Sequence, residues 1–332
     1  MDPLSQGVLG ASAPGTIAPK HQQRVALALG FFGGMAPDLD VFIRSSTDPL
    51  LFLEFHRHFT HALIFIPIGG LICALVLHQL LGRRKGLEFK QTYLYCTLGY
   101  ATHALLDSCT TYGTQLLWPF SDVRIAWNTI SVVDPVFTIP ILLLVMLAAW
   151  RQRTLFTRLA LVWAVAYPSL GIIQRERAEE AGWALAESRG HQPLRLEAKP
   201  SFGNMLLWKI VYETDGYFHV DAIRVGRDTR TYPGEAVPRL DLERDFPWLD
   251  ASSQQALDVE RFRWFSNDYL AIDPGHPYRI TDIRYSMIPN QVRGLWSIEL
   301  SRDATPDQHV GYLETRDTDS GVLQRFGTML FE

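Results

Sequence analysis

Residues 62–81, 132–150 and 155–173 form three apolar runs almost free of charge, each bounded by Arg or Lys on at least one side. A bilayer core about 30 Å thick takes roughly 20 apolar residues in a helix, at about 1.5 Å of rise per residue. Lipid offers no partner to a backbone N–H or C=O, so a run of this kind folds as a helix that satisfies its own backbone. Three membrane spans are therefore predicted. Residues 92–106 are shorter and contain His103, but they must return the chain between the first two runs and are predicted as a fourth span. Residues 4–18 and 25–36 are apolar, short and rich in Gly or Ala, which allows close helix approach; tilted or half-spanning helices are expected there. Pro67, Pro140 and Pro168 fall inside the spans and predict kinks.

From residue 174 onward the character reverses, with charges, Gly and Pro recurring every few residues. The expected architecture is a mainly α membrane helical bundle over 1–173, with about four transmembrane helices and two short N-terminal apolar ones. A helical stalk over 174–192, stopped by Gly190, then leads to a small α+β extramembrane domain over 193–332. Within that domain, residues 206–212, 217–225, 279–287 and 295–300 read as strands, and 252–271 carry a helical apolar rhythm. Trp208, Trp248 and Trp264 are expected to build its core, or to mark a partner surface if exposed.

The net charge of −4 and the lack of a basic tract exclude a nucleic-acid partner and leave membrane lipids as the expected surroundings. Cys73, Cys96 and Cys109 lack the spacing of a metal knuckle or redox pair and read as packing residues. Met1-Asp-Pro-Leu has an acid where a secretory signal needs a base, so Met1 is expected to be retained. Arg83, Arg84, Lys85 and Lys90 cluster in one short loop, and Arg151, Arg153 and Arg158 in another. Cytoplasmic loops carry such excesses, so these loops should face the cytoplasm and the C-terminal domain the opposite, periplasmic side.

Ionisable groups in a membrane bundle are costly unless paired, ligated or hydrated, and here they are not scattered. Asp38 and Asp40 close one apolar segment, and His56, Arg57, His58 and His61 precede the next. His103 and Asp107 end the following one, and Asp134 opens the one after. In the topology above all of them fall at the same, outer helix ends. His103 and Asp107 are four residues apart and share a helix face, as two ligands of one ion would. The bland alternative is a capped helix end with a satisfied core imidazole. Among the histidines His56 and His61 are favoured as ligands, with His58 as the bystander. Carboxylate and imidazole donors without thiolate suit Zn²⁺ first, with Mn²⁺ or Fe²⁺ as alternatives, and the number of donors allows two ions. Arg57 is expected to clamp an anionic substrate or to anchor at the headgroups. Asp134 is expected to orient a ligand histidine, to hold metal itself, or simply to cap the helix that starts at Pro135.

Met1-Asp-Pro-Leu-Ser-Gln-Gly-Val-Leu-Gly-Ala, Pro37-Asp-Leu-Asp, His56-Arg-His-Phe-Thr-His, His103-Ala-Leu-Leu-Asp and Asp134-Pro together resemble the YdjM-type family of membrane-bound metal-dependent hydrolases. The resemblance covers roughly the first half of the chain; Gln174-Arg-Glu-Arg-Ala and Asn204-Met-Leu-Leu-Trp-Lys also look like the extension of longer members. It implies a bacterial inner-membrane protein with metal ligands Asp38, Asp40, His56, His61, His103 and Asp107. Gln6 stands where many members have His, which puts a ligand from the N-terminal segment in doubt. The His/Asp pair is also similar to zinc-dependent phospholipases of the C type, an analogy that points to a lipid phosphoester. The competing expectation is a non-catalytic membrane protein with a structural metal or polar network and a partner-binding soluble domain. A zinc protease is disfavoured by the absence of His-Glu-x-x-His, and a transporter by the gathering of ionisable groups at one end rather than the midplane.

Overall fold

The computed structural model describes residues 1–316 and 319–332. They form two units. The first comprises Met1–Ile43, Phe55–Ile172 and Phe202–Asn204, and the second Arg44–Glu54, Ile173–Ser201 and Met205–Glu332.

The first unit is helical. Helix α1 (Pro3–Gly15) starts on Pro3, whose missing N–H is no loss in a first turn, and Asp2 caps it by accepting from the Ser5 N–H at 3.0 Å. Helix α2 (Gln23–Met35) is extended by tighter turns at Lys20–Gln22 and Ala36–Phe42. The short helix α3 (Leu51–Phe55), all but its last residue part of the second unit, precedes α4 (Ile66–Leu77), and a reciprocal cap by Glu88 and Gln91 opens α5 (Phe89–Ser108). Helices α6 (Pro135–Arg151) and α7 (Thr154–Ser188) follow.

Three helical stretches are long and apolar enough to cross a membrane: Lys20–Phe42, Leu63–Lys85 and Thr154–Ser188. Two contain spans predicted from sequence. The third enlarges the short segment expected at 25–36, because the flanking tight turns lengthen it to 23 residues. The run expected at 132–150 is instead the 17-residue helix α6, since Asp134 caps it and Pro135 fixes its first turn. Pro67 lies in the first turn of α4, where it removes no internal hydrogen bond, so the expected kink has no cause there. Ile68, Ile72, Leu75 and Val76 on α4, and Val162 and Val165 on α7, are exposed, an apolar surface that suits lipid rather than water.

Helices α1, α2 and α5 approach closely because glycines face one another. A Cβ on Gly34 would lie 2.6 Å from the Gln6 carbonyl oxygen, and one on Gly33 would lie 2.5 Å from that of Cys96. Backbone contact at this range brings the ends of these helices, and the polar groups on them, into one buried volume.

The second unit is α+β. Its two four-stranded antiparallel sheets run β1 (Arg195–Pro200), β2 (Leu207–Thr214), β3 (Tyr217–Val225), β4 (Thr229–Pro238), and β5 (Leu270–Asp273), β6 (His276–Asp282), β7 (Trp296–Glu299), β8 (Gly311–Glu314), each in sequence order. Helices α8 (Leu242–Asp245), α9 (Gln254–Phe265) and α10 (Ser320–Phe331) complete it. The far half of α7 runs on from the last apolar stretch without a break and packs Ala178 and Ala186 against Trp208, Ile210 and Tyr212 of the first sheet. Gly190 at φ +73° then lets the chain turn away. Val211, Phe218 and Val220 meet Tyr269, Ala271 and Ile283 in a core shared by the two sheets. Strands β1, β4 and β8 and helices α8 and α10 carry no expectation from sequence, and the helix expected over 252–271 ends as α9 at Phe265, with Leu270 and Ala271 opening strand β5 instead. Trp208 is fully buried, whereas Trp264 is 43% exposed and contributes little to the core.

Candidate metal centre

The turn after α2 carries Asp38 and Asp40, the segment before α4 carries His56 and His61, and the last turn and a half of α5 carries His103 and Asp107. Two groups of ligand atoms converge among the described residues. Asp38, His61, His103 and Asp107 form one and Asp38, Asp40 and His56 the other, each with its donor atoms within 4.8 Å of one another. Asp38 belongs to both.

The hydrogen bonds around the imidazoles fix which nitrogen faces the cluster. His103 Nδ1 lies 2.6 Å from the Gly34 carbonyl oxygen, which can only accept, so Nδ1 carries a proton and Nε2 is the nitrogen that faces the cluster. His61 Nδ1 lies 3.2 Å from Asp40 Oδ2 and 3.0 Å from Thr60 Oγ1, whose hydroxyl donates to Asp40 at 2.7 Å. Its Nδ1 proton is therefore also spoken for. The two Nε2 atoms then face each other at 2.9 Å, with Asp38 Oδ1 3.3 Å from that of His103 and Asp107 Oδ2 3.3 Å from that of His61. Two lone pairs and two carboxylates directed at one point repel unless a positive charge lies among them. Asp107 Oδ2 is buried and makes no hydrogen bond of good geometry, its nearest cation being Arg57 Nε at 3.0 Å, which leaves that oxygen with lone-pair capacity for an ion. The residues present thus fit a divalent ion.

Asp40 is a hub. Its Oδ1 accepts from His56 Nδ1 at 2.8 Å, and its Oδ2 from the Arg57 N–H at 3.1 Å as well as from Thr60. This is how a carboxylate outside the coordination shell orients ligand imidazoles. Arg57 is buried at a left-handed φ of +64°, an uncommon conformation for a side chain with a Cβ. Its surroundings impose that conformation: Nε lies 3.0 Å from Asp107 Oδ2, Nη1 donates to Thr110 at 3.0 Å, and the guanidinium stands 4.9 Å over the Tyr112 ring. Strained backbone of this kind concentrates at functional sites.

Gln6 also reaches the centre, donating from Nε2 to Asp107 Oδ1 at 2.8 Å, and the Met1 amino group lies 2.5 Å from the same oxygen. The sequence had already set Gln6 apart as a position where many members have His; it gave no role to Thr60 or Thr110, for which the Thr-His step at 60–61 was the available signal. His58 packs its ring 5.3 Å from that of Trp118 and belongs to neither ligand group. Asp134 stands apart from both groups as well. Its Oδ1 caps α6 through the N–H groups of Val136 and Phe137, and both oxygens accept from the Tyr167 hydroxyl at 3.0 Å.

Residues 1–178, which hold every one of these side chains, match the model of the YdjM inner membrane protein family. The chain belongs to the YdjM inner membrane protein family. Among its relatives, inner membrane protein YbcI of Escherichia coli (strain K12) is 35% identical over 113 residues, covering 32% of this chain and 61% of YbcI. YfhP of Bacillus subtilis (strain 168) is 28% identical over 103 residues, covering 31% of this chain and 30% of YfhP. The chain thus spans less than two thirds of either relative. No solved structure matches it. The YdjM match and the three apolar helices together mark a membrane protein, and the match ends before the two sheets begin.

Proposed function

We propose that this YdjM-family chain is a membrane-bound metal-dependent hydrolase acting on a phospholipid or another amphiphilic phosphoester. The observation that carries the proposal is the opposed pair of imidazole Nε2 atoms, each with its Nδ1 committed outward, between Asp38 and Asp107. His61, His103, Asp38 and Asp107 would hold the ion, and Asp40 and His56 complete a second donor set through the shared Asp38. When bound, such an ion supplies Lewis acidity and lowers the pKa of water toward neutrality.

The protein's own part is positional. Asp40 and Gly34 lock the ligand imidazoles, Arg57 holds Asp107 while presenting positive charge that would attract a phosphoryl oxygen, and Gln6 steadies the other Asp107 oxygen. The Asp38 and His56 side chains retain 21% and 28% exposure whereas His61, His103 and Asp107 retain none, so the cluster is open on one edge. A catalytic site needs that opening, and a structural one is closed by protein ligands. The basic residues at 83–85 and the metal ligands lie at opposite ends of the helices that carry them. We therefore place the site, and the C-terminal domain with it, on the periplasmic side of a multi-pass inner-membrane protein, where lipid headgroups are the nearest substrate.

A second reading has one observation in its favour. Arg57 already brings positive charge to Asp107 and the Met1 amino group contacts its other oxygen, so the cluster could be a closed polar network with a proton shared between the imidazoles. Metal content of the detergent-purified protein, measured by inductively coupled plasma mass spectrometry, separates the two. Stoichiometric zinc, manganese or iron that falls in His103→Ala and Asp107→Ala, with folding retained, supports the metal centre and opens lipid-hydrolysis assays. Wild-type protein that stays metal-free after reconstitution leaves the polar network.

A further inference from the structure

Four of the six candidate ligands come in two sequence-local pairs, Asp38 with Asp40 and His56 with His61, and the chain between these pairs, Arg44–Glu54, folds as part of the second unit. One side chain of that unit, Arg261 on α9, holds the segment at two points. Its Nη1 and Nη2 bond Asp48 Oδ1 and Oδ2 at 3.0 and 2.8 Å, a two-pronged match of guanidinium to carboxylate, and its Nε donates to Glu54 at 2.6 Å.

Arg261 is itself fixed. Nη1 also donates to Asp258 Oδ1 at 2.8 Å, and the other Asp258 oxygen accepts from His309 Nδ1 at 2.8 Å and the Val310 N–H at 3.1 Å. Burial raises the Asp48 carboxyl, but the hydrogen bonds from Arg261 outweigh it and hold that group below the usual carboxylate range. The segment has a second attachment in the edge-to-face contact of Phe52 with Tyr312 of β8, with centroids 5.1 Å apart. Glu54 is two residues before His56 and Arg44 four residues after Asp40, so both ends of the clamped segment run directly into metal ligands.

We propose that Arg261 is a positioning residue for the metal centre, and that this explains why a family whose matched region ends at residue 178 carries an α+β domain here. The inference rests on the metal-centre reading above. Four ligands supplied from both sides of a free loop would lose that loop's entropy when an ion is bound; a segment already pinned at Asp48, Phe52 and Glu54 has lost it in advance. The coupling is reciprocal, so an ion at the cluster also tightens the clamp.

The test uses the full chain in detergent micelles, with Zn²⁺ affinity measured by competition against a chelating dye and amide hydrogen exchange followed over peptides from 38–61. Arg261→Met should weaken Zn²⁺ binding about tenfold or more, the scale of a lost orienting contact, and should raise exchange at 55–61 with the melting temperature of the helical unit unchanged. Arg261→Lys, which keeps the charge but not the fork, should recover part of the affinity, and Arg316→Met at an exposed site should match wild type. Should Arg261→Met fail to fold, Glu54→Gln removes one contact of the clamp and should show the same changes at smaller size. Unaltered affinity and unaltered exchange in Arg261→Met would overturn the proposal. If wild type binds no Zn²⁺, the metal-centre reading falls instead, and the exchange data alone decide whether the clamp orders residues 55–61.

Discussion

Replacing Asp40 with Asn tests how the cluster is built, because the substitution keeps shape and removes charge. Four donors converge on this carboxylate: His56 Nδ1, the Arg57 N–H, Thr60 Oγ1 and His61 Nδ1, at 2.8, 3.1, 2.7 and 3.2 Å. An amide has one acceptor oxygen, so its NH₂ must face groups that donate to the carboxylate, and those partners must turn or present a lone pair instead. One imidazole then loses its anchor and turns or changes tautomer. Loss of an outer partner of a ligand histidine typically weakens metal binding by about 10- to 100-fold, which is about 1.4–2.8 kcal/mol. If Asp40 only orients, Asp40→Asn lowers affinity by that factor and leaves stoichiometry as in wild type. If it ligates the second ion, one equivalent disappears. Both are read by titrating the metal-stripped protein with Zn²⁺ in a calorimeter, with mass spectrometry for content. Wild-type affinity together with wild-type stoichiometry would refute the assignment of Asp40 as the hub.

Two further outcomes follow from other parts of the chain. Lys209 is buried in β2, donating to Ser286 Oγ at 2.8 Å and the Gln291 carbonyl at 2.7 Å, and burial, only partly opposed by Asp282 and Glu235, pushes its amine down to about 7. Between about pH 7 and the unfolded lysine value of about 10.4 the unfolded chain holds a proton that the folded chain has released, so stability of the second unit should rise with pH across that window, by at most about 1.4 kcal/mol per unit. Pulse proteolysis in urea on the full chain should show the rise, and Lys209→Met should flatten it; an equally steep profile in the variant would sink the assignment. Gly34→Ala puts a methyl 2.6 Å from the Gln6 carbonyl and 2.9 Å from Gly10 Cα, backbone that cannot swing aside, and should cost about 1–3 kcal/mol. A lower melting temperature in detergent is expected, while Gly327→Ala, with nothing within 4 Å, should melt like wild type.

The apolar stretches were legible because a period-independent run of 20 uncharged residues has few uses outside a bilayer, and the ligand candidates because charge within such runs demands compensation. Where α2 ends was not legible: tight turns at Lys20–Gln22 and Ala36–Phe42 extend it through residues whose composition reads as loop. Strands β1 and β4 also escaped. Strand β1 is the polar edge Arg195–Pro200, and β4 contains Pro233-Gly234, which by composition marks a turn; as an edge strand, β4 pairs only with β3, and a register shift on β3 between Val220 and Ala222 accommodates it. At the centre itself the residue types were visible but the roles were not, since the outward hydrogen bonds of His61 and His103 run to Asp40 and to a glycine carbonyl, partners 21 and 69 residues away in the chain.

That last distance explains why packing and chemistry are inseparable here. The acceptor for His103 Nδ1 is the Gly34 carbonyl, and it stands 2.6 Å away because glycines at 10, 30, 33 and 34 let α1, α2 and α5 meet backbone to backbone. A larger residue at any of these positions would move the carbonyl before it touched a ligand. His103 would then be free to protonate Nε2, the nitrogen the cluster needs bare, and a cation site would become an ordinary histidine–carboxylate pair. The small-residue pattern that sequence reading assigns to helix association is, in this fold, also the element that selects the histidine tautomer.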